Sequence, residues 1–144
     1  MSAASDYLEN KVLNHVLRGA AGAYTAPTTL YAALFLSATS VPTTTANLEA
    51  GTLTDEVPTS GSTAYARTTI AFDAAASGQS QSTATVTFPA ATATWGNITH
   101  VAITDSGTRA AGNVLFYGTL TTAKTVASGD TFQISAGNMT VSLA

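Results

Sequence analysis

The sequence predicts a mainly β protein: an antiparallel β-sandwich or jelly-roll-like barrel of about eight strands, with one N-terminal α-helix. Short segments of alternating apolar and polar residues recur along the chain, and turn-forming residues separate them every 8–15 residues or so, at about the spacing of small all-β folds. Only the N-terminal segment has a helical pattern, so the β-α-β alternation of a nucleotide-binding α/β fold is missing. The 144 residues suffice for a single domain, 1–144, and not for a second core.

Composition excludes several kinds of site and partner. Charged residues make up 9% of the chain and the formal net charge is −3, whereas a typical soluble domain has about 25% charged residues. The scattered basic residues provide no footprint for nucleic acid; they are Lys11, Arg18, Arg67, Arg109 and Lys124. Cysteine is absent, which excludes disulfides and cysteine-ligated metals. We expect no secretory signal, because the N-terminus lacks a basic segment followed by an apolar run. We expect no membrane partner, because no stretch approaches 18 apolar residues.

Because charged residues are few, threonine and alanine are expected to dominate the surface. Such a weakly charged surface suits packing against other protein copies, although a simple Thr-faced β protein fits the composition equally well.

Residues 5–18 are predicted to form the N-terminal helix. Ser5 can cap it, acidic residues in its first turn suit the helix dipole, and Gly19 suits the position after its last turn. The apolar positions share one half of the helical wheel: Leu8, Val12, Leu13, Val16 and Leu17. A helix this short must pack that face. We favour packing on its own domain, with a partner chain as the alternative.

The remaining segments are predicted as short strands and one long loop. The strands are 28–37, 64–72, 81–88, 98–104, 113–120, 124–126, 131–134 and 139–143, with a hairpin joining 124–126 to 131–134. Strand 28–37 is apolar on both faces, so it is central or covered by the helix. In strand 64–72, Ala66 and Ile70 are expected on the same face, opposite Tyr65 and Arg67. Residues 38–63 are predicted to be an extended arm that touches a neighbouring subunit, or a mobile loop.

The rest of the chain is organised around the corner at 88–105, which contains Trp95, the only tryptophan. Burying such a ring removes on the order of 150–250 Å² from water. Gly96 beside it predicts a sharp bend that a Cβ would obstruct. We therefore interpret Trp95 as a core residue that closes the β-core.

No catalytic, cofactor-binding or metal-binding residues are predicted. His15 and His100 have no second ligand at a metal-binding spacing, and five strand residues separate His100 from Asp105 by about 16 Å. Asp55 and Glu56 are interpreted as solvated loop acids. The loops at Asp105 and Asp130 lack the alternating ligands of a calcium site. Serines at 60–62 and 77 have no visible general base.

The order of motifs resembles a known family. The residues that carry the resemblance are Ser5-Asp6-Tyr7-Leu8-Glu9-Asn10, Pro27 to Phe35, Glu56-Val57, Gly61, Ala64-Tyr65-Ala66-Arg67, Phe88-Pro89 to Trp95-Gly96, Thr99 to Ile103, Gly129-Asp130-Thr131-Phe132 and Ala136-Gly137. Over nearly the whole chain, the sequence is similar to small virion proteins of tailed bacteriophages, which are commonly labelled phage tail fibre proteins. Related small β proteins decorate or cement capsids. The Thr-rich insertion 38–60 is longer than that pattern needs.

Three functions remain open at this point. The favoured one is a non-enzymatic virion protein, a capsid decoration or cement protein on the outer head lattice, with the major capsid protein and other copies of itself as partners. The first alternative is a structural subunit of the tail or tail fibre. The second is a carbohydrate-binding module that uses Trp95 or an exposed tyrosine as a stacking platform. In the first two cases the protein is part of the virion, assembled in the host cytoplasm.

Overall fold

The main element of the structure, a computed structural model describing residues 3–143, is a five-stranded antiparallel sheet. In chain order the elements are β1 (Ala3–Ala4), α1 (Asp6–Arg18), a 3-10 turn (Gly19–Gly22), β2 (Leu30–Leu36), α2 (Thr44–Glu49), β3 (Thr68–Ile70), β4 (Gln79–Gln81), β5 (Val86–Thr87), β6 (Gly96–Thr104), β7 (Val114–Val126), β8 (Gln133–Ile134) and β9 (Thr140–Ser142). The sheet has the order β1-β7-β6-β2-β3, and β4-β9 and β5-β8 form two small antiparallel pairs.

The protein is therefore mainly β and antiparallel, as predicted. The described strands form no closed barrel, because the large sheet ends at β1 on one side and β3 on the other. The barrel form of the prediction is wrong. No helix within residues 3–143 is long and apolar enough to cross a membrane.

Two apolar clusters bury the two faces of the large sheet. The larger cluster joins the sheet to β5, β8, β9 and the Trp95 corner through residues such as Leu34, Phe88 and Ile98. The smaller one packs Leu48 of α2 against Phe35 and Tyr117. This explains why β2 is apolar on both faces and central, as predicted. The helix in the smaller cluster is α2, not the predicted N-terminal helix.

Helix α1 has the predicted bounds and caps. The Ser5 hydroxyl oxygen accepts a hydrogen bond from the Leu8 N–H at 3.3 Å, and Gly19 ends the helix at φ +55°. Leu8 is the only buried residue of the helix, whereas Leu13, Val16 and Leu17 are 56%, 70% and 76% exposed. The expectation that the apolar face packs on its own domain is therefore wrong beyond the first turn.

The segment 38–63 contains a helix, which corrects the expectation of an extended arm. The Thr43 hydroxyl caps α2 by accepting from the Ala46 N–H at 3.3 Å, and Leu48 is fully buried. Leu53 and Val57 are buried as well. These three side chains hold the segment against the sheet, because leaving them in water would cost roughly 1.5–3 kcal/mol each.

Two strand predictions are also wrong: the hairpin between 124–126 and 131–134, and the faces assigned to strand 64–72. Strand β7 continues along β6 as far as Val126, with a register shift between Ile98 and His100 of β6. Residues 124–126 therefore pair with β6 and not with 131–134. β8 pairs with β5 instead. In the stretch before β3, Tyr65 and Arg67 are buried and Ala66 is exposed. Tyr65 and Arg67 face inwards because their side chains form hydrogen bonds inside the protein.

Gly96 provides the bend that the sequence indicated. Its φ is +102°, and a Cβ added there would lie 3.3 Å from a methyl group of Leu36. We expect Gly96→Ala to lower the free energy of unfolding by about 1–3 kcal/mol, because both backbone strain and crowding act against it. Urea unfolding measures this. Gly129→Ala is the control: Gly129 also has a positive φ but has open space around it, so it isolates the backbone part of the effect.

Candidate functional site

Trp95 is a core residue and not a binding platform. It is 2% exposed, and its indole N–H donates to the Thr63 carbonyl at 2.7 Å. Its ring meets the Tyr65 ring edge-on at 5.3 Å between centroids. Every Trp, Tyr and Phe side chain within residues 3–143 is buried or half-buried. The structure therefore contradicts a carbohydrate platform built on Trp95 or on an exposed tyrosine.

A buried ion pair between Glu56 and Arg67 is the most concentrated polar feature of the described chain. Both side chains are 0% exposed. The Arg67 Nε–H donates to Glu56 Oε1 at 2.8 Å, and an Nη2–H donates to Oε2 at 2.8 Å, so the contact is bidentate. The Tyr65 hydroxyl (3.0 Å) and the Ala110 N–H (2.7 Å) also donate to this carboxylate. The Arg67 cation balances the charge of Glu56, and the four hydrogen bonds replace the water that burial removes from its carboxylate.

The remaining nitrogen of the Arg67 guanidinium, Nη1, also forms hydrogen bonds. Its Nη1 donates to Thr104 Oγ1 at 3.1 Å and to the carbonyls of Ser106 and Ala111 at 2.7 and 2.9 Å. Arg109 donates to the carbonyl of Val57 at 2.7 Å and to that of Glu56 at 2.9 Å. Within residues 3–143 no buried side-chain nitrogen or oxygen lacks a hydrogen-bond partner.

This polar cluster, defined as Glu56, Tyr65, Arg67, Thr104 and Arg109, connects the segment between α2 and β3 to the end of β6 and the loop that follows β6. All of its buried side-chain donors and acceptors bond within the protein. Its chemistry is that of a structural clamp. Sequence reasoning treated Glu56 as solvated and Arg67 as a scattered charge. It placed Tyr65 and Arg67 on one face of a strand but did not recognise that this face is buried.

Tyr65 makes this cluster sensitive to alkaline pH. Burial, and then the Glu56 charge, raise the pKa of the Tyr65 hydroxyl well above the ordinary 10.0. The stability that this contributes is fully present below pH 10, and it is lost as the pH rises above that value. We expect the urea midpoint to fall from pH 9.5 to 11. The fall should be smaller in Tyr65→Phe than in Tyr24→Phe, because Tyr24 is only half-buried. Equal slopes in both variants would contradict this.

The two histidines and Asp55 lie outside the polar cluster, and each makes its own hydrogen bonds. His15 Nδ1 accepts from the Tyr24 N–H at 3.2 Å. The His100 ring nitrogens bond the hydroxyls of Thr45 and Thr99, at 3.0 and 2.8 Å. Burial lowers the pKa of His100, and the charge of Asp55 opposes that shift. Asp55 itself accepts from the Asn47 side-chain amide at 2.8 Å.

The remaining candidates shape turns. Asp105 accepts from the backbone and side-chain N–H groups of Asn113, both at 2.7 Å, and Asp130 accepts from the Ala127 N–H at 2.9 Å. Ser62 and Ser77 have positive φ values of 56° and 51°. No three His, Asp or Glu side chains in the described part of the chain are placed to hold a metal ion.

Within residues 3–143, apolar side chains reach solvent on one face of α1 and along a groove at one end of the sheet. The helix ridge comprises Leu13, Val16 and Leu17 of α1. The end groove has a volume of about 260 Å³. Its main lining residues are Leu30, Phe72, Leu115, Phe116, Val141 and Leu143. Two further grooves, of about 490 and 830 Å³, follow β7 and have mixed polar and apolar linings.

Comparison with models of protein families identifies the family to which the chain belongs. The family model described as Podophage GP4 fiber I protein gp80 matches residues 3–142. The chain belongs to this family. Membership in the gp80 fibre family confirms the resemblance to phage tail fibre proteins, and the match covers both the polar cluster and the helix ridge. A search of curated proteins found no match.

Proposed function

We propose that the chain is a non-enzymatic structural subunit of a podophage tail fibre. The observation that carries this proposal is the match of the fibre family over residues 3–142. Membership in a phage fibre family makes the chain a virion component, and it favours the tail-fibre alternative over capsid decoration, which was the first choice from the sequence. The partners in this proposal are other copies of the chain and neighbouring tail proteins; the decoration role would instead require the major capsid protein.

The structure supports a structural role through its distribution of polar groups. The strongest charge pair is enclosed and fully bonded, and the histidines and loop acids make only local contacts. The sheet and the small strand pairs enclose one apolar core in a sandwich-like arrangement, which suits a rigid building block. Its exposed apolar surfaces lie on a helix and at the end of the sheet, where contacts with other subunits are possible.

The location of the protein in the virion tests this function. An antibody against the purified chain, labelled with gold, is applied to intact particles, and separated heads and tails are compared by mass spectrometry. We expect label on the fibres and peptides in the tail fraction. Label confined to the head would support the decoration role and contradict the proposal. Absence from the particle would contradict both roles.

A further inference from the structure

The outer edge of β7 is paired over only a small part of its length. β1 pairs with Phe116 and Tyr117, whereas β7 is 13 residues long. Beyond that point no strand within residues 3–143 pairs with this edge, because β1 is the last strand on that side of the sheet. Residues 120–125 are named the open edge; Leu120 is half-buried and the other five are exposed. An uncovered strand edge is a template for pairing with another chain.

The inner edge of β7 is loosely paired over the same stretch. Thr119 lies opposite His100 and Lys124 lies opposite Ile98, so the four residues 120–123 face only Thr99 of β6. A bulge of this kind leaves its extra residues outside the regular ladder. Most of the open edge is therefore an extended segment that belongs to a sheet at its ends and has no strand partner between them.

Two grooves adjoin beside the open edge. Their volumes are about 490 and 830 Å³, within the roughly 300–1,000 Å³ of binding clefts. Both are lined by the same four residues, Leu120, Thr121, Ile134 and Asn138. The joined grooves, named the β7 slot, have β7 along one wall and β8 with the segment after it along the other. In the described part of the chain β8 pairs only with β5.

The β7 slot combines an apolar floor with a polar and almost uncharged rim. The floor residues are partly buried and pack against the larger core cluster: Val101, Phe116, Leu120 and Ile134. The rim consists of exposed hydroxyl and amide side chains: Thr119, Thr121, Thr122, Thr125, Thr131 and Gln133. The only charged residues of the lining are Lys124 and Asp130, whose charges are opposite. The slot therefore complements an uncharged chain in which apolar and polar residues alternate.

We propose that the β7 slot binds one extended, uncharged segment of a neighbouring virion protein, which pairs with the open edge as an added strand. β1 already pairs with the same edge, so the added strand continues a contact that the fold itself makes. Six strand residues extend over about 20 Å, the usual length of one strand. The inference names a partner for the proposed fibre subunit, and to that extent it rests on the proposed function.

The two walls of the slot select a single strand over other occupants. The edge of a second copy of the sheet would bring its own neighbouring strands with it, and these would meet β8. A segment that belongs to no sheet has both of its edges free. Its backbone pairs with the open edge while alternate side chains cover the apolar floor, and neither a sugar nor an apolar small molecule does both.

Binding of a synthetic peptide to the purified full-length chain tests the slot. The probe is an octapeptide of alternating valine and threonine with blocked ends, and NMR spectra of the backbone amides follow its addition. We expect the amide signals of residues 120–125 to shift and their hydrogen exchange to slow by about tenfold or more, because the added strand protects them. The control probe has proline in place of each valine, which removes those N–H donors, and it should leave exchange unchanged.

Three results of this titration would overturn the proposal. The first is the absence of any shift at about 1 mM peptide, which places the affinity below about 4 kcal/mol. The second is a set of shifts centred on another surface, such as the helix ridge or the end groove. The third is an equal effect of the two probes, since a peptide that cannot pair as a strand would then bind as well as one that can.

A pair of variants places the peptide on the floor of the slot. Leu120→Asp is expected to weaken binding by about tenfold or more, because it removes an apolar contact and leaves a charge without a partner beneath the peptide. Val41→Asp is the matched control, since Val41 is 87% exposed and lines neither groove. Equal affinities of the two variants would contradict the proposal. The exchange measurement uses the unaltered chain, so the test holds even if Leu120→Asp fails to fold.

Two further comparisons identify the occupant and keep this inference separate from the proposed function. Slow exchange of residues 120–125 in the chain alone, lost on dilution, would mean that a second copy fills the slot, and it would overturn the proposal. Gold labelling of the virion does not depend on the slot. Fibre labelling without peptide binding would therefore reject the added strand and keep the proposed function.

Discussion

Replacing Trp95 with alanine is expected to lower the free energy of unfolding by about 3–5 kcal/mol. The ring is almost fully buried, packs edge-on against Tyr65, and donates its N–H to Thr63. Removing it leaves a cavity at the junction of the sheet and the 88–96 corner, and the Thr63 carbonyl keeps only the Thr92 N–H, at 3.3 Å, as a donor. Urea unfolding followed by circular dichroism measures the change.

Two further variants identify the source of that effect. Trp95→Phe keeps an aromatic ring but loses the hydrogen bond to Thr63 and some volume, so we expect an intermediate loss of about 1–3 kcal/mol. Val41→Ala truncates an exposed side chain and should change stability by less than about 0.5 kcal/mol. If Trp95→Ala were as mild as Val41→Ala, the corner would not be part of the core.

Replacing Arg67 with methionine is expected to cost about 3–5 kcal/mol, because it leaves the Glu56 carboxylate buried without its counter-ion. The Ala111 carbonyl loses its donor at the same time, whereas the Ser106 carbonyl keeps the Thr104 hydroxyl as a donor. Chemical unfolding measures the loss. Arg109→Met is the matched control: Arg109 is half-buried and bonds only backbone carbonyls. Its loss should be about 1–2 kcal/mol.

A double variant separates pairing from packing. Glu56→Gln with Arg67→Met removes both charges and retains one amide oxygen, which can replace the acceptor of either Tyr65 or Ala110. We expect its cost to be smaller than the sum of the two single costs by at least 1 kcal/mol or so, the coupling usual for residues in one network. Additive costs would mean that the two side chains stabilise the fold independently, contrary to the clamp described here.

Features encoded by neighbouring residues were predictable from the sequence. Ser5 and Gly19 delimit α1 through local caps, and the Trp95-Gly96 corner follows from one large ring beside one residue with a positive φ. The apolar faces of β2 predicted its central position. In each case the determining interaction is local, or depends on the period-2 pattern of a strand.

Long-range interactions explain what the sequence did not predict. Glu56 and Arg67 are 11 residues apart, and Arg67 reaches Thr104 and Ala111 across 37 and 44 residues, so no local pattern indicates that both charges are buried. α2 has only six residues, too few for a clear helical period, and it forms because Leu48 packs on the sheet. The exposure of Leu13, Val16 and Leu17 was also hidden, because an amphipathic pattern does not say what covers its apolar face.

The most direct test of the central claim, that this chain is a structural subunit of the tail fibre, is a cryo-electron microscopy reconstruction of the intact virion. The account predicts density in the fibre that fits the β1-β7-β6-β2-β3 sheet, with α1 beginning beside Leu115 of β7. Density for the same sheet on the outer surface of the head, with none in the fibre, would contradict it.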